Sequence, residues 1–212
     1  MGGSGEARVV GKPTDGLISR YINRKISTRI TLFIVKHNIP ITPNQVSAIS
    51  FLLAIATLPL YLHGYLIPAG ILVQLSSIID GVDGELARAR GMVSKKGSFV
   101  DTMLDRYADL SILIALMIYL ALTNYPVLHI VVLGSLALSG DLLVSYLHTR
   151  AQYDFGVHPA LIGYLDSIGS RDVRLFIIFI GSILGYIDYT LLSIAVLTHL
   201  YIIIKCMYIL AL

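Results

Sequence analysis

An all-α, polytopic membrane protein is the fold class this sequence predicts, with six transmembrane helices preceded by an amphipathic helix in the membrane interface. Three observations lead there. Of 212 residues, 56% are hydrophobic and 14% charged, and the mean hydropathy is +0.78, far from a soluble globular composition. Apolar stretches long enough to cross a bilayer recur along the chain. Lys and Arg fall in alternate connections only, leaving those around His63, Asn124 and Asp188 without any. The net charge of +3 is therefore spread along one side, and no nucleic-acid partner is expected.

The elements follow in order. Residues 1–40 form a cytoplasmic segment, in which Gly2 to Gly5 read as a linker, as in a piece of a longer protein. From Asp15 to Lys25 the period is helical, with Leu17, Ile18, Tyr21 and Ile22 on one face and Arg20, Arg24 and Lys25 opposite. A basic amphipathic helix at a membrane boundary lies in the interface and touches membrane lipids. Residues 41–212 form the membrane domain. Thr42 is an N-cap before Pro43 at the first helical position. The expected spans run from Pro43 to Leu62, Pro68 to Ala87, Ser98 to Leu122, Pro126 to Tyr146, Leu175 to Tyr186 and Tyr189 to Tyr208. The fifth is short unless it begins near Arg171.

Charge placement sets the orientation. Seven basic residues precede the first span, five from Arg88 to Arg106 flank the second and third, Arg150, Arg171 and Arg174 lie between the fourth and fifth, and Lys205 is near the C-terminus. The positive-inside rule puts all of these in the cytoplasm of a cell-membrane protein. Six spans return the chain to the side where it began.

The chemistry is carried by four aspartates at bilayer depth, where each charge costs roughly 2.5–3.5 kcal/mol. Asp80, Asp83, Gly84 and Ala87 share one helix face, and Gly97, Asp101 and Asp105 share a face of the next helix. Facing helices of this kind offer about eight hard oxygens, which suits Mg²⁺ or Mn²⁺. Gly84, Ala87 and Gly97 leave room beside the metals, or let helices pack closely. Cys206 is the single cysteine, so no intrachain disulfide forms. Asp109 is one turn past Asp105 and reads as a partner of Arg88 or Arg106. Asp141 reads as hydrogen-bonded within the bundle. Gly181 and Gly185 form a GxxxG that serves packing within the bundle or a homodimer face.

The run Asp80-x2-Asp83-Gly84-x2-Ala87-Arg88-x8-Gly97-x3-Asp101-x3-Asp105 resembles the motif of the CDP-alcohol phosphotransferase family, also called CDP-alcohol phosphatidyltransferases, at every fixed position. The resemblance implies an enzyme that moves a substituted phosphate from a CDP-alcohol donor to an acceptor hydroxyl and releases CMP, using two Mg²⁺ or Mn²⁺ ions. It implies Asp80, Asp83 and Asp101 as metal ligands, Asp83 as the bridge, and Asp105 as ligand and catalytic base. Asn44, Gly84, Ala87 and Gly97 then line the nucleotide site. Arg88 has two readings, a nucleotide anchor or a salt bridge to the aspartates.

The Lys12-Pro13-Thr14-Asp15-Gly16 and Arg171-Asp172-Val173-Arg174 stretches look more loosely like the archaeal branch that makes phosphodiester-linked inositols, of di-myo-inositol phosphate phosphate synthase type. That implies an inositol phosphate acceptor, held by Arg150, Arg171 and Arg174, and a cytidylyltransferase domain in the full-length protein. The bland reading of these arginines is topology anchors at lipid phosphates. A phospholipid synthase using CDP-diacylglycerol or an archaeal CDP-lipid is the nearest alternative. A membrane prenyltransferase lacks its aspartate pattern here, and an ion transporter leaves Gly84, Ala87 and Arg88 without a purpose.

Overall fold

The computed structural model describes residues 11, 13–163 and 167–211. Arg8, Lys12 and the Gly2–Gly5 stretch lie outside them. The described residues form eight α-helices and contain no strand.

The N-terminal helix starts at Leu17, passes through a π-helical turn at Ser19–Asn23 and continues as α1, Arg24–Lys36. It is thus longer than the expected Asp15–Lys25 element, and its faces are used differently. Its buried side against α4 is polar at Asn23, Ser27 and Thr31 and turns apolar at Ile34. Arg24, expected on the outer polar face, points inward to an ion pair. Tyr21, Ile22, Ile26, Leu32 and Phe33 are exposed.

Helix α2, Pro43–Ile55, opens with a capping box. The Thr42 hydroxyl accepts from Gln45 N at 3.3 Å, and Gln45 Oε1 accepts from Thr42 N at 2.8 Å. The expected first span is broken at Ala56 into α2 and α3, Thr57–Leu62. Pro59 has no N–H for the carbonyl one turn back, and its ring crowds that carbonyl. After it come α4, Leu66–Ala89, α5, Lys95–Leu122, and α6, Val127–Phe155. Ser94 caps α5 by accepting from Gly97 N at 3.0 Å. Helix α7, Arg171–Leu184, starts earlier than Leu175, and α8 is Ile187–Leu210.

Among the described residues, four segments are long and apolar enough to cross a membrane: Pro43–Leu62, Leu66–Ala89, Val127–Phe155 and Ile187–Leu210. Two of the six expected spans fall short for physical reasons. The N-terminal part of α5 carries Asp101, Asp105, Arg106 and Asp109, so the stretch from Asp105 to Leu122 still holds three charges, and α7 has 14 residues.

Helix α4 is central, with α1, α2, α3 and α7 against it, while α8 packs on α6 and α7. The main core joins Val73 of α4, Ile112 and Leu116 of α5, Leu175 and Ile178 of α7, and Leu191 and Ile194 of α8. A smaller cluster of Ile34, Val46, Val82 and Leu86 binds α1 and α2 to the site end of α4. Small residues set the spacing: a Cβ on Gly181 would overlap Thr190 of α8. Gly185, at φ 76°, ends α7 in the left-handed conformation. Both glycines of the GxxxG thus have work inside this chain. Leu52, Leu128, Leu200, Ile203 and Met207 face outward, as suits lipid contact.

Candidate active site

The site is built where α2, α4, α5 and α7 converge. The entry to α2 is fixed first: Arg90, just past α4, donates to the carbonyl of Ile39 at 2.7 Å and to that of Ile41. This holds Asn44 and Ser47 against the motif. Ser47 donates a hydrogen bond to the Asp83 carboxylate. A Cβ on Gly97 would sit 3.3 Å from Asn44 Oδ1, so the glycine lets α2 and α5 close on each other.

The helical spacing brings the aspartates together. Carboxylate oxygens of Asp80, Asp101 and Asp105 all lie within 4.8 Å of one another. Asp83 lies beside them, buried under Ser47. The donor set is all hard oxygen, and Asp101 Oδ1 is buried with no hydrogen-bond partner among the described residues. These residues fit a divalent cation of the Mg²⁺ or Mn²⁺ kind.

Two cavities meet at this cluster. The first, about 310 Å³, is lined by Asn44, Ser47, Asp83, Gly84, Ala87, Arg88, Gly97 and Asp101, with Met92 and Val93 at its apolar edge. All five residues expected at the nucleotide therefore border one space. The second, about 300 Å³, is lined by Asp80, Asp83, Asp101, Asp105, Arg106 and Arg171 together with the N-terminal segment around Asp15. Asp83, Gly84, Arg88 and Asp101 border both, whereas Asp80 and Asp105 border the second alone. Arg88 makes no ion pair within 4.0 Å among the described residues, and its Nε and Nη2 are buried without partners.

Arg171, Arg174 and Arg150 part company. Arg171 Nη1 is 3.1 Å from Asp80 and 3.0 Å from Asp105, and its Nε is 2.8 Å from Asp109. Arg174 is buried one turn deeper, 2.7 Å from Asp141. Arg106 bridges Asp109 at 3.1 Å and Asp141 at 3.3 Å. Asp109 thus pairs with Arg106, as one of its two expected partners, and Asp141 is held inside the bundle. Arg150 is half exposed and pairs with Asp154 on its own helix at 2.7 Å. It borders neither cavity.

Glu85 is the residue that sequence reading misses. It sits between fixed motif positions, is fully buried, and accepts from Arg24 at 2.7 Å, Ser27 at 2.8 Å, Thr28 at 3.2 Å and Thr31 at 2.8 Å. The signal was the polar stripe Arg24, Ser27, Thr28 and Thr31, spaced to share one helix face. Arg24 also pairs with Asp15 at 2.8 Å. Burial works against the Arg24 charge, but hydrogen bonds to Asp15 and Glu85 outweigh it and hold the group above its ordinary value.

Fold and site together define a helical protein with membrane-length apolar segments and a carboxylate cluster between two cavities, and comparison with known proteins gives its family. The chain belongs to the CDP-alcohol phosphatidyltransferase family, whose model matches residues 40–208. It is 41% identical over 197 residues to the bifunctional IPC transferase and DIPP synthase of Thermococcus kodakarensis, covering 87% of this chain and 42% of the relative. It is 35% identical over 159 residues to the archaetidylinositol phosphate synthase of Pyrococcus horikoshii, covering 74% and 78%. The chain spans about two-fifths of the length of the bifunctional relatives. In fold it is similar to the phosphatidylinositol phosphate synthase PgsA1 of Mycobacterium tuberculosis with CDP-DAG bound, with a TM-score of 0.72, 20% identity, and coverage of 87% and 94%. The same protein in complex with manganese and citrate gives a TM-score of 0.71, with 20% identity and coverage of 87% and 88%.

Proposed function

We propose that this protein transfers a substituted phosphate from a CDP-alcohol to a hydroxyl of a phosphorylated polyol such as inositol phosphate, releasing CMP. The observation that carries this reading is the pair of cavities sharing Asp83 and Asp101. One is shaped by the residues expected at the nucleotide, and the other holds a cation, Arg171, suited to a phosphate.

Asp80, Asp83, Asp101 and Asp105 would hold two Mg²⁺ or Mn²⁺ ions, which when bound neutralise the pyrophosphate and stabilise attacking and leaving oxygens. Asn44, Gly84, Ala87 and Gly97 shape the donor cavity, and the unpartnered nitrogens of Arg88 favour its role as nucleotide anchor. Asp105 borders the acceptor side only, which supports its role as general base. It takes the proton of the acceptor hydroxyl at a carboxylate oxygen. The hydroxyl oxygen then bonds to the phosphorus that bears the donor alcohol. The bond from that phosphorus to the CMP oxygen breaks, and CMP leaves with the electron pair. Among the three arginines, Arg171 is the acceptor-phosphate ligand the geometry favours. Arg174 is the pillar behind it, and Arg150 is a peripheral one.

A lipid-linked donor, such as CDP-diacylglycerol or an archaeal CDP-lipid, is a second reading. The exposed Met92 and Val93 at the donor cavity favour it, because they place an apolar surface where a lipid tail would leave.

In the membrane, α5 and α7 complete six spans with the four long apolar segments, and the outward apolar side of α1 lies in the interface. The basic residues around the site favour a position on the cytoplasmic side of the cell membrane. A cytidylyltransferase, in the same polypeptide or as a partner, supplies the CDP-alcohol.

A radiolabel assay of the purified protein tests this reading. CDP-inositol and CDP-diacylglycerol would each be paired with inositol phosphate and glycerol phosphate. Label should pass to inositol phosphate with release of CMP in the presence of Mg²⁺. Turnover with glycerol phosphate alone would replace the proposed acceptor.

A further inference from the structure

The acceptor cavity has a wall outside the residues that the family model matches. The family match begins at residue 40, yet Thr14, Asp15, Gly16, Ser19 and Arg24 border the same space as Asp80 and Asp105. This segment is pinned at three points. Arg24 holds both oxygens of Asp15, at 2.9 and 2.8 Å. The Ser167 hydroxyl donates to the Asp15 carbonyl at 3.0 Å. Ser19 N donates to Asp172 Oδ2 at 2.5 Å, at the start of α7. Gly16 makes the approach possible, because a Cβ there would overlap Asp172 and the Ser170 hydroxyl. The segment is therefore seated on α7 one residue from Arg171.

Its chemistry is that of a hydroxyl reader. Thr14, Ser19 and Ser170, with hydroxyls, and Asp15 and Asp172, with carboxylates, line this mostly polar space, and each carboxylate oxygen of Asp15, bonded to Arg24, has a second lone pair. A polyol ring gives hydroxyls that donate to carboxylates and accept from Ser or Thr. We propose that the N-terminal segment from Thr14 to Ser19, seated on Asp172, is the recognition wall for the ring hydroxyls of the acceptor. The choice of acceptor is then set by residues outside the common catalytic region. The inference rests on the reading of this cavity as the acceptor's.

The test uses the whole chain with Mg²⁺ and compares the wild type with Gly16→Ala and with the double variant Thr14→Ala/Ser19→Ala. The second adds no bulk and serves where the first fails to fold. Readouts are the acceptor KM for inositol phosphate, the donor KM, and the thermal shift given by Mn²⁺. The expected result is an acceptor KM raised about tenfold or more, with the donor KM and the Mn²⁺ shift within about twofold of wild type. If the wild type uses inositol phosphate and the variants change both KM values alike, or neither, the wall has no recognition role and this inference alone falls. If the wild type uses glycerol phosphate but not inositol phosphate, the acceptor reading falls and takes the inference with it.

Discussion

Arg171 reaches from the start of α7 to within 3.0 Å of Asp105 on α5, and the same nitrogen is 3.1 Å from Asp80 on α4. A cation that cannot be deprotonated thus tempers the mutual repulsion of the converging carboxylates. Arg171→Gln should lower the melting temperature without divalent metal and enlarge the stabilisation by Mn²⁺. Thermal unfolding with and without Mn²⁺ checks this. A smaller Mn²⁺ shift than in wild type would show that Arg171 positions the ligands rather than offsetting their charge.

Asp83 and Asp105 should separate by their cavities. Asp83 borders both and is held by Ser47, so Asp83→Asn should lose turnover together with metal-dependent stabilisation. Asp105 borders the second cavity alone, the one proposed for the acceptor. Asp105→Asn should lose turnover by about 10²–10⁴-fold while still binding the CDP donor, measured by equilibrium binding. Full activity in either variant would remove the assigned role.

Glu85 should behave as a buried anchor. Its removal takes from Arg24 one of its two carboxylate partners, Asp15 being the other, and takes the acceptor from Ser27, Thr28 and Thr31 on α1. Arg24 keeps Asp15, so the cost stays below the roughly 3–5 kcal/mol of a buried charge left unpaired, and Glu85→Ala should still lower the unfolding midpoint. Glu85→Gln keeps an acceptor and should lose less. Equal midpoints for Glu85→Ala and wild type would show that the pairing adds nothing to the fold.

Topology is open to chemical labelling. In a background lacking Cys206, single cysteines near Lys95 and Asn124 should react with an impermeant thiol reagent from opposite faces of sealed vesicles. Labelling from one face only would break the six-span arrangement.

The motif was legible because helical spacing alone puts Asp80 with Asp83, and Asp101 with Asp105. The Thr42 cap was legible because it depends on neighbours in sequence. Glu85 was not, since its partners lie more than fifty residues away, on a helix whose stripe could face either protein or water. Arg24 was read outward for the same reason. A charge on an amphipathic helix declares its side only when the buried partner is known. Arg150 and Arg171 look alike in sequence, and only the fold shows that one pairs within its own helix and the other enters the aspartate cluster.

The 14 residues of α7 span about 21 Å at roughly 1.5 Å per residue, against a hydrocarbon core of about 30 Å. In the six-span arrangement, with Leu184 at the far surface, Arg171 and the aspartates it touches lie about 9 Å below the near one. The chemistry is then sunk in a well beneath the lipid phosphates. A water-soluble acceptor must descend into it, while a lipid-linked donor can stay in its leaflet and swing only its head inward. In that arrangement the short α7 would set the depth at which the two substrates meet.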